Sequence, residues 1–352
     1  MIFFAKSSLL EKKAWNKKQA QIAWKKGKVK VKHFPLVVYL EATSVCNLSC
    51  PMCPVAMGVS EYQYEEKFLD LDFIQRLKPV LEYAQRCFLS GGGEPFLHPK
   101  FFELAKEVKQ LKLEVILNTN GTLIDSACAK ELVELELDCL SFSIDAINPD
   151  TYRRIRRGAE LEQVVEAIKL LDEEKKKQGK SKPYLNMQFT LFKENLKELD
   201  KVVEFASSLG INHLVVEPLS PIFSFDAKYQ DFFQKNYVPA DAELMSRLEN
   251  LKKDALGKRL IFTSTYLEGK KRIKRCPQPW INFGVRTNGR IFLCCGTAEF
   301  MGTLKEAGFE QIWNGDKYKE ARKRISQGKY PNYCQLCLVE SRSPWFNAEL
   351  LE

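Results

Sequence analysis

The segment "CNLSCPMC" places three cysteines, Cys46, Cys50 and Cys53, directly after the apolar run "FPLVVYLEATSV". This run is typical of a buried strand, so we expect the thiols in the loop at its end. A structural zinc ion usually takes four protein ligands and disulfides take cysteines in pairs, whereas a 4Fe–4S cluster takes one thiolate for each iron. Three thiolates would leave one iron open to an exogenous ligand. A zinc site with a distant fourth ligand, or a buried loop of small residues, is the alternative interpretation.

A glycine-rich stretch, "RCFLSGGGEPFLHP", follows about forty residues later. Its first part is typical of a strand, which ends at Gly91, Gly92 and Gly93, and Glu94 then adds a carboxylate. Glycines let a backbone approach a ligand closely and leave N–H and C=O groups free at a strand end. A glycine-rich turn is often only a turn, but at this distance after the cysteine loop it indicates a cofactor site.

Together the two motifs resemble those of the radical S-adenosylmethionine (SAM) enzyme superfamily. The segments "LNTNGTLI" and "SFSIDA" are similar to that family's third and fourth strand ends, and the resemblance covers roughly residues 35–340. It implies that Cys46, Cys50 and Cys53 bind a 4Fe–4S cluster. The open iron of that cluster would be chelated by the amino and carboxylate groups of SAM.

The same resemblance implies which residues contact SAM. The three glycines at 91–93 and Glu94 would hold the methionyl amine, and Thr119 and Ser143 match positions that contact SAM in relatives. One electron from the cluster would cleave a carbon–sulfur bond of SAM. The products would be methionine and a 5′-deoxyadenosyl radical that abstracts a hydrogen atom from an unactivated substrate carbon. The cofactor carries this chemistry, and the protein supplies orientation and excludes water.

A second cysteine set lies in the C-terminal part of the chain. Cys276, Gly289 and Cys294 follow a C-x12-G-x4-C pattern around the hairpin signal "TNG", and "YCQLC" adds Cys334 and Cys337. From the residues alone, such a set is most often a zinc site. Behind the motifs above, the pattern resembles the SPASM and twitch auxiliary-cluster domains, in particular the shorter twitch type. That resemblance implies that the four cysteines enclose a second 4Fe–4S cluster.

The elements that must position these residues alternate between strand and helix patterns. The strand-like runs are "LVVYLEA", "RCFLS", "LEVILNT", "DCLSFSI", "YLNMQFTL" and "NHLVVEP". Six strands with intervening helices predict an α/β fold with a parallel sheet, a partial (β/α)6 TIM barrel, and the resemblance implies the same. Loops at the carboxyl ends of barrel strands form the active site, and each barrel motif described above stands at such an end.

We divide the chain into four parts on this basis. They are a basic N-terminal arm (1–34), the partial barrel (35–220), a connector (221–275) and a small α+β auxiliary-cluster domain (276–352). In the connector we expect a loop over the barrel mouth followed by the helix "AELMSRLENLKKDAL". We prefer a rigid connector to a lid.

Composition limits the location and the partners of the protein. No apolar run approaches the length of a membrane span, and eleven cysteines without a secretion signal predict a reducing cytoplasm. The net charge is +9, and residues 1–32 hold ten lysines and one acid, so the rest of the chain is neutral overall. We expect the arm to be a helix packed on the barrel. A basic surface for phosphate, for an acidic partner or for anionic lipid, the last through peripheral membrane contact, is the alternative, and no nucleic acid is expected.

The resemblance to twitch domains implies that the auxiliary cluster can accept an electron from the substrate radical, and two-electron oxidation is therefore the reaction that we predict. Radical maturation of a peptide or protein is a second option, although some 34 residues before the barrel are too few for a winged-helix leader-binding domain. Radical carbon–carbon bond formation on a lipid is a third option, and a non-catalytic metal-binding module is the alternative of another class. A reductase and flavodoxin, or a ferredoxin, would donate electrons. Gln188 and Glu217, at strand ends, are candidate contacts to a small-molecule, lipid or peptide substrate.

Overall fold

The computed structural model describes residues 8–59, 62–223, 226–267, 275–294, 299–331, 334 and 348–351. Within these residues, ten strands form one sheet in the order β10-β9-β8-β1-β2-β3-β4-β5-β6-β7. The strands are β1 (Val37–Leu40), β2 (Arg86–Phe88), β3 (Glu114–Thr119), β4 (Cys139–Ser143), β5 (Tyr184–Leu191), β6 (His213–Pro218), β7 (Ile261–Ser264), β8 (Asn282–Val285), β9 (Arg290–Phe292) and β10 (Phe300–Thr303).

Helices join most of the parallel strands, and others precede or follow the sheet. The helices of the described residues are α1 (Leu9–Lys25), α2 (Leu71–Leu81), α3 (Phe101–Lys109), α4 (Ser126–Glu134), α5 (Pro149–Ile155), α6 (Leu161–Gln178), α7 (Val202–Ser208), α8 (Ala227–Asn236), α9 (Ala242–Gly257), α10 (Gln278–Ile281), α11 (Phe309–Trp313) and α12 (Asp316–Ser326). Strands β1 to β6 are all parallel to their neighbours, so the predicted α/β partial barrel is confirmed.

Local sequence signals set several helix ends. The side chain of Asn148 accepts hydrogen bonds from the backbone N–H groups of Asp150 and Thr151, and Pro149 fits the first helical position of α5 because it has no N–H to satisfy. Helix α6 ends at Gly179, which has a φ of 64°. Glycine adopts this left-handed conformation without a steric penalty, and the helix therefore stops there.

Alternation along the strands separates the two faces of the barrel wall. In β5, Leu185, Met187 and Phe189 are buried, whereas the intervening Tyr184, Asn186 and Gln188 are exposed or half-buried. The period of two in the burial pattern places the two sets on opposite faces of the strand. Polar side chains on the less buried face are therefore available to line cavities inside the barrel.

Two features of the C-terminal half differ from the prediction. Helix α8 occupies part of the segment that we predicted to be a loop, and β7 is a strand that the sequence analysis missed. Strand β7 pairs in parallel with β6 and so extends the barrel sheet by one strand. The connector therefore contributes to the sheet itself.

The auxiliary part continues the same sheet at its other edge. Strand β8 pairs in parallel with β1, and β8, β9 and β10 form antiparallel pairs. The predicted hairpin at "TNG" is confirmed, and Gly289 in its turn has a φ of 80°. The division into four parts stays a prediction, since the boundaries at 220 and 275 fall within one continuous sheet.

The basic arm forms helix α1, which packs on the barrel as we expected. The Asn16 amide donates to the carbonyl oxygen of Tyr83 (2.9 Å), and its own oxygen accepts from the backbone N–H of Phe34 (2.8 Å). The indole of Trp24 donates to the carbonyl oxygen of Arg275 (3.2 Å). No helix in the described part of the chain is long and apolar enough to cross a membrane.

Candidate active site

A cavity of about 270 Å³ lies at the carboxyl ends of the first barrel strands, as the motif positions predicted. It brings together most of the candidate residues, although they come from four separate segments of the chain. These lining residues are Cys46, Cys50, Cys53, Gly91, Gly92, Gly93, Glu94, Thr119 and Ser143.

The glycine loop and the cysteine loop are joined by backbone hydrogen bonds. The N–H of Gly93 donates to the carbonyl oxygen of Thr43 (3.0 Å), and the N–H of Glu94 donates to that of Val45 (2.8 Å). A side chain at Gly91 would collide with Glu41, because an ideal Cβ there stands 2.3 Å from Glu41 Cγ. Glycine is therefore required here for close packing, and this packing fixes the two loops as one unit.

The carboxylate of Glu94 points into the protein and is only 2% exposed. It accepts hydrogen bonds from the Thr119 hydroxyl (2.7 Å) and from the backbone N–H of Asn120 (2.8 Å). Burial raises the pKa of Glu94 to about 7, and these hydrogen bonds oppose the shift. The side chains of Glu94 and Thr119 thus hold the end of β3 against the glycine loop.

A largely buried cation beside the cysteine loop, Arg156, was missed by the sequence analysis. Arg156 lines the cavity and forms an ion pair with Asp145, which is fully buried. Burial lowers the pKa of Arg156, but Asp145 and Cys50 more than offset this effect and raise it overall. Burial raises the pKa of the Cys50 thiol, and the charge of Arg156 opposes that shift. The signal that could have identified Arg156 was the isolated acid of "SFSIDA", since a buried carboxylate needs a cationic partner.

The donor set of this cavity fits a 4Fe–4S cluster. Among the residues described, no three His, Cys, Asp or Glu side chains converge on the position of a single metal ion. A four-iron cluster does not need such convergence, because each thiolate binds its own iron. Three thiols on one loop, with a glycine-rich backbone opposite, can therefore hold the cluster and leave one iron accessible.

Gln188 and Glu217 do not line the 270 Å³ cavity, although both lie next to residues that do. Gln188 pairs in register with Ser143, and Glu217 pairs with Thr190 on the neighbouring strand. The side-chain nitrogen of Gln188 is buried and has no hydrogen-bond partner within the described part of the chain. Their role as substrate contacts stays a prediction.

A larger cavity, of about 840 Å³, lies at the opposite, amino ends of the strands and contains none of the predicted site residues. Charged groups on its wall are already paired. Arg86 lies 2.8 Å from Glu114, and Asp138 accepts from Lys109 at 2.6 Å. These pairs close the lower end of the barrel wall and supply no free charge for chemistry.

The second cysteine set lies around the last helices. The backbone N–H of Cys276 donates to the Tyr330 hydroxyl (3.2 Å). Burial raises the pKa of Tyr330, and the nearby thiols of Cys276 and Cys334 add to the increase. Cys294 follows β9 and is half-buried, while Cys337 lies outside the described residues. Three of the four predicted ligands thus lie in the region that the hairpin and α12 form.

The fold and the site define a class of protein, an α/β partial-barrel protein with a cysteine-lined cavity at the carboxyl ends of its strands. Residues 40–206 match the family model of the Radical SAM superfamily, and residues 276–338 match that of SPASM, an iron–sulfur cluster-binding domain. The chain belongs to the radical SAM superfamily and carries a SPASM domain. SAM and 4Fe–4S clusters are its cofactors. The twitch subtype stays a prediction.

Curated relatives differ in what they act on. The chain is 33% identical over 195 residues to the tungsten-containing aldehyde ferredoxin oxidoreductase cofactor-modifying protein of Pyrococcus furiosus, covering 53% of this chain and 52% of that protein. It is 31% identical over 182 residues to a probable GTP 3′,8-cyclase of Sulfurisphaera tokodaii (51% and 55%). It is 25% identical over 316 residues to the AdoMet-dependent heme synthase of Methanosarcina barkeri (82% and 85%). The chain thus spans about half the length of the first two relatives.

Solved structures share the fold. SuiB of Streptococcus suis bound to S-adenosylmethionine superimposes with a TM-score of 0.64 at 17% identity, over 87% of this chain and 72% of SuiB. The protein anSMEcpe with bound AdoMet gives a TM-score of 0.63 at 21% identity, over 87% and 89% of the two chains. At these identities the likeness concerns the fold alone.

Proposed function

We propose that this enzyme removes a hydrogen atom from an unactivated carbon of its substrate and completes a two-electron oxidation. Cys46, Cys50 and Cys53 hold the first cluster, the glycine loop binds SAM, and Cys276, Cys294, Cys334 and Cys337 hold the second cluster. When bound, SAM and the first cluster supply the 5′-deoxyadenosyl radical, and the second cluster supplies an electron acceptor.

One observation supports the proposal most strongly. The strand that leads into the cysteine loop, β1, pairs along its whole length with β8, the first strand of the hairpin that carries Gly289 and precedes Cys294. The cysteine loop and two members of the second set, Cys276 and Cys294, therefore flank strands of one continuous sheet. A fixed placement of this kind suits an electron acceptor that must stay near the substrate in each turnover.

Residues of this chain have defined tasks in the proposal. The guanidinium of Arg156 lines the cavity and is largely buried, and we propose that it binds the carboxylate of SAM in addition to Asp145. Glu94 and Thr119 line the same cavity and are joined by a hydrogen bond that orients the loop ends, and they remain our candidates to contact SAM. The apolar wall behind β3 and β4 excludes water, which protects a reactive radical.

The test is formation of 5′-deoxyadenosine from SAM by anaerobically reconstituted protein with dithionite, measured by mass spectrometry. Cys50→Ala should abolish the product, whereas Cys87→Ala should retain it, because Cys87 is buried in β2 away from the cavity. Wild-type protein should contain about eight irons per chain, the sum of two four-iron clusters. Four irons with one zinc would contradict the second cluster and therefore the proposed oxidation.

A tetrapyrrole is the substrate class that we propose to test first. The heme synthase of Methanosarcina barkeri aligns along 82% of this chain, more than the other two relatives described above. Peptide maturation is the alternative, and two of the proteins that share the fold were solved with peptides, SuiB with SuiA and anSMEcpe with Cp18Cys. Substrate-dependent 5′-deoxyadenosine formation with porphyrins or with peptides distinguishes the two classes.

A further inference from the structure

A carboxylate directly behind the glycine loop is held by groups from three segments of the chain. Glu41 is fully buried at the end of β1. Its Oε1 accepts from the backbone N–H of Gly92 (2.8 Å), and its Oε2 accepts from the hydroxyl of Tyr64. The remaining donors come from the β8–β9 hairpin, where Arg286 Nη1 lies 2.9 Å from Oε1 and the backbone N–H of Thr287 lies 3.2 Å from Oε2.

These four donors fill the hydrogen-bonding capacity of one carboxylate. Arg286 is the only cation among them, and it is itself largely buried, with its side chain 12% exposed. It lies over the rings of Tyr62 (4.4 Å) and Phe292 (4.6 Å), and both contacts help to fix its guanidinium. If either partner of this buried pair moved away, the other would remain as an uncompensated buried charge. The two side chains are therefore held in one arrangement.

The glycine loop depends on the position of the Glu41 side chain. Gly92 donates to it, and an ideal Cβ at Gly91 would stand 2.3 Å from Glu41 Cγ and 2.7 Å from Oε1. If Glu41 turned away, the loop would lose both its hydrogen bond and its packing surface. The backbone groups that line the cavity would then no longer be held in place.

We propose that Arg286 is a positioning residue for SAM, through Glu41 and the glycine loop, although it belongs to the hairpin of the auxiliary-cluster part. This inference rests on the proposed SAM pocket. It links the two halves of the enzyme, since Arg286 packs on Phe292, two residues before Cys294. A hairpin displaced by loss of the second cluster would therefore weaken SAM binding, and by reciprocity bound SAM would stabilise the hairpin.

The test measures the dissociation constant of SAM on anaerobically reconstituted protein by equilibrium dialysis. Arg286→Met removes the charge and keeps the apolar stem, and it should weaken SAM binding about tenfold, the range of typical coupling between sites. The rate of 5′-deoxyadenosine formation at saturating SAM should change much less than the KM for SAM. Arg286→Lys keeps a positive charge at this position and should bind SAM with an affinity between those of the wild type and Arg286→Met. If the methionine variant does not fold, the affinity of the lysine variant is compared with that of the wild type instead.

Arg322→Met is the matched control. Arg322 is a buried arginine of the same C-terminal part that lies over Trp313 and Tyr318 and donates to the carbonyl oxygen of Pro279, without contact to Glu41. Its loss should lower the melting temperature and leave the SAM dissociation constant unchanged. An unchanged SAM dissociation constant in Arg286→Met would overturn the inference about Arg286, and so would an equal increase of that constant in Arg322→Met. Neither result would affect the proposed function. Absence of SAM binding by the wild type would overturn the proposed function.

Discussion

The backbone of Gly93 lies directly against that of Val45, so that an ideal Cβ at Gly93 would stand 2.2 Å from the Val45 carbonyl oxygen. Two hydrogen bonds, from Gly93 to Thr43 and from Glu94 to Val45, keep the glycine loop and the cysteine loop at this distance. The three thiols and the SAM-binding backbone we propose are therefore a single structural unit. Neither loop can move without breaking contacts to the other.

Gly93→Ala should damage this unit. The added methyl group meets backbone atoms, which cannot rotate away as a side chain can, so we expect a loss of about 1–3 kcal/mol in the free energy of unfolding. Urea unfolding of the iron-free protein measures this loss, and iron content after reconstitution shows whether the first cluster is still held. Gly257→Ala, at the open end of α9, is the control and should be neutral or slightly stabilising. Equal stability of the two variants would refute the close approach of the loops.

Asp145→Asn should be strongly destabilising. Asp145 is fully buried, pairs with Arg156 and accepts from the backbone N–H of Thr190 (2.7 Å). Its replacement leaves the Arg156 cation without a counter-charge, which costs about 3–5 kcal/mol for a buried pair. Asp150→Asn breaks an exposed pair with Arg153 and should cost less than about 1 kcal/mol. Unfolding curves at neutral pH compare the two variants, and similar losses would contradict the role of burial.

His33 should make the protein less stable in weak acid. Burial lowers its pKa from 6.5 to about 4, and His213 is lowered to about 4 for the same reason. Between these values the unfolded chain binds protons that the folded chain does not. The contribution of each neutral histidine to the free energy of unfolding is therefore fully present above pH 6.5. It is lost as the pH falls toward 4, and the loss is about 3 kcal/mol for each histidine.

His33→Gln removes one of these two titrations. The difference in unfolding free energy between pH 7 and pH 4.5, measured by urea denaturation, should be smaller in the variant than in the wild type. His213 still titrates in the variant, so part of the dependence should persist. An identical pH dependence in both proteins would show that His33 is not buried in its neutral form.

Replacing exposed lysines in and just after helix α1 tests whether the basic arm contacts an anionic membrane surface. Lys18, Lys25 and Lys26 are exposed, whereas Asn16 holds the opposite face on the barrel. If these lysines meet an anionic surface, each contributes about 1 kcal/mol, and binding fades as salt screens the charges. Co-sedimentation with phosphatidylserine vesicles should then fall sharply when the three lysines are replaced by glutamine.

Its control removes the same charge elsewhere. Lys252, Lys253 and Lys258 are exposed in and just after α9, and their replacement by glutamine should leave vesicle binding unchanged. Failure of the wild-type protein to sediment with vesicles at low salt would exclude peripheral membrane contact and the lipid substrate that it favours.

The motifs and the six barrel strands could be predicted from the sequence because their signals are local. Cysteine spacing, consecutive glycines and a burial period of two within one strand depend on residues a few positions apart. The same kind of signal failed at β7, since four residues with an exposed Ile261 give too short a pattern. It also failed at α8, because we interpreted this segment, with its tyrosine and phenylalanine residues, as a loop over the barrel mouth.

The ion pair between Glu41 and Arg286 could not have been predicted in this way. The two residues are 245 positions apart, and they meet only because β8 pairs with β1 instead of forming a separate sheet. Arg156 likewise reaches the cysteine loop only once β4 and α5 have packed. The sequence by itself determined which groups could perform the chemistry, through local spacing. The tertiary structure decided which buried charges face one another, because that depends on strand order and no local pattern encodes it.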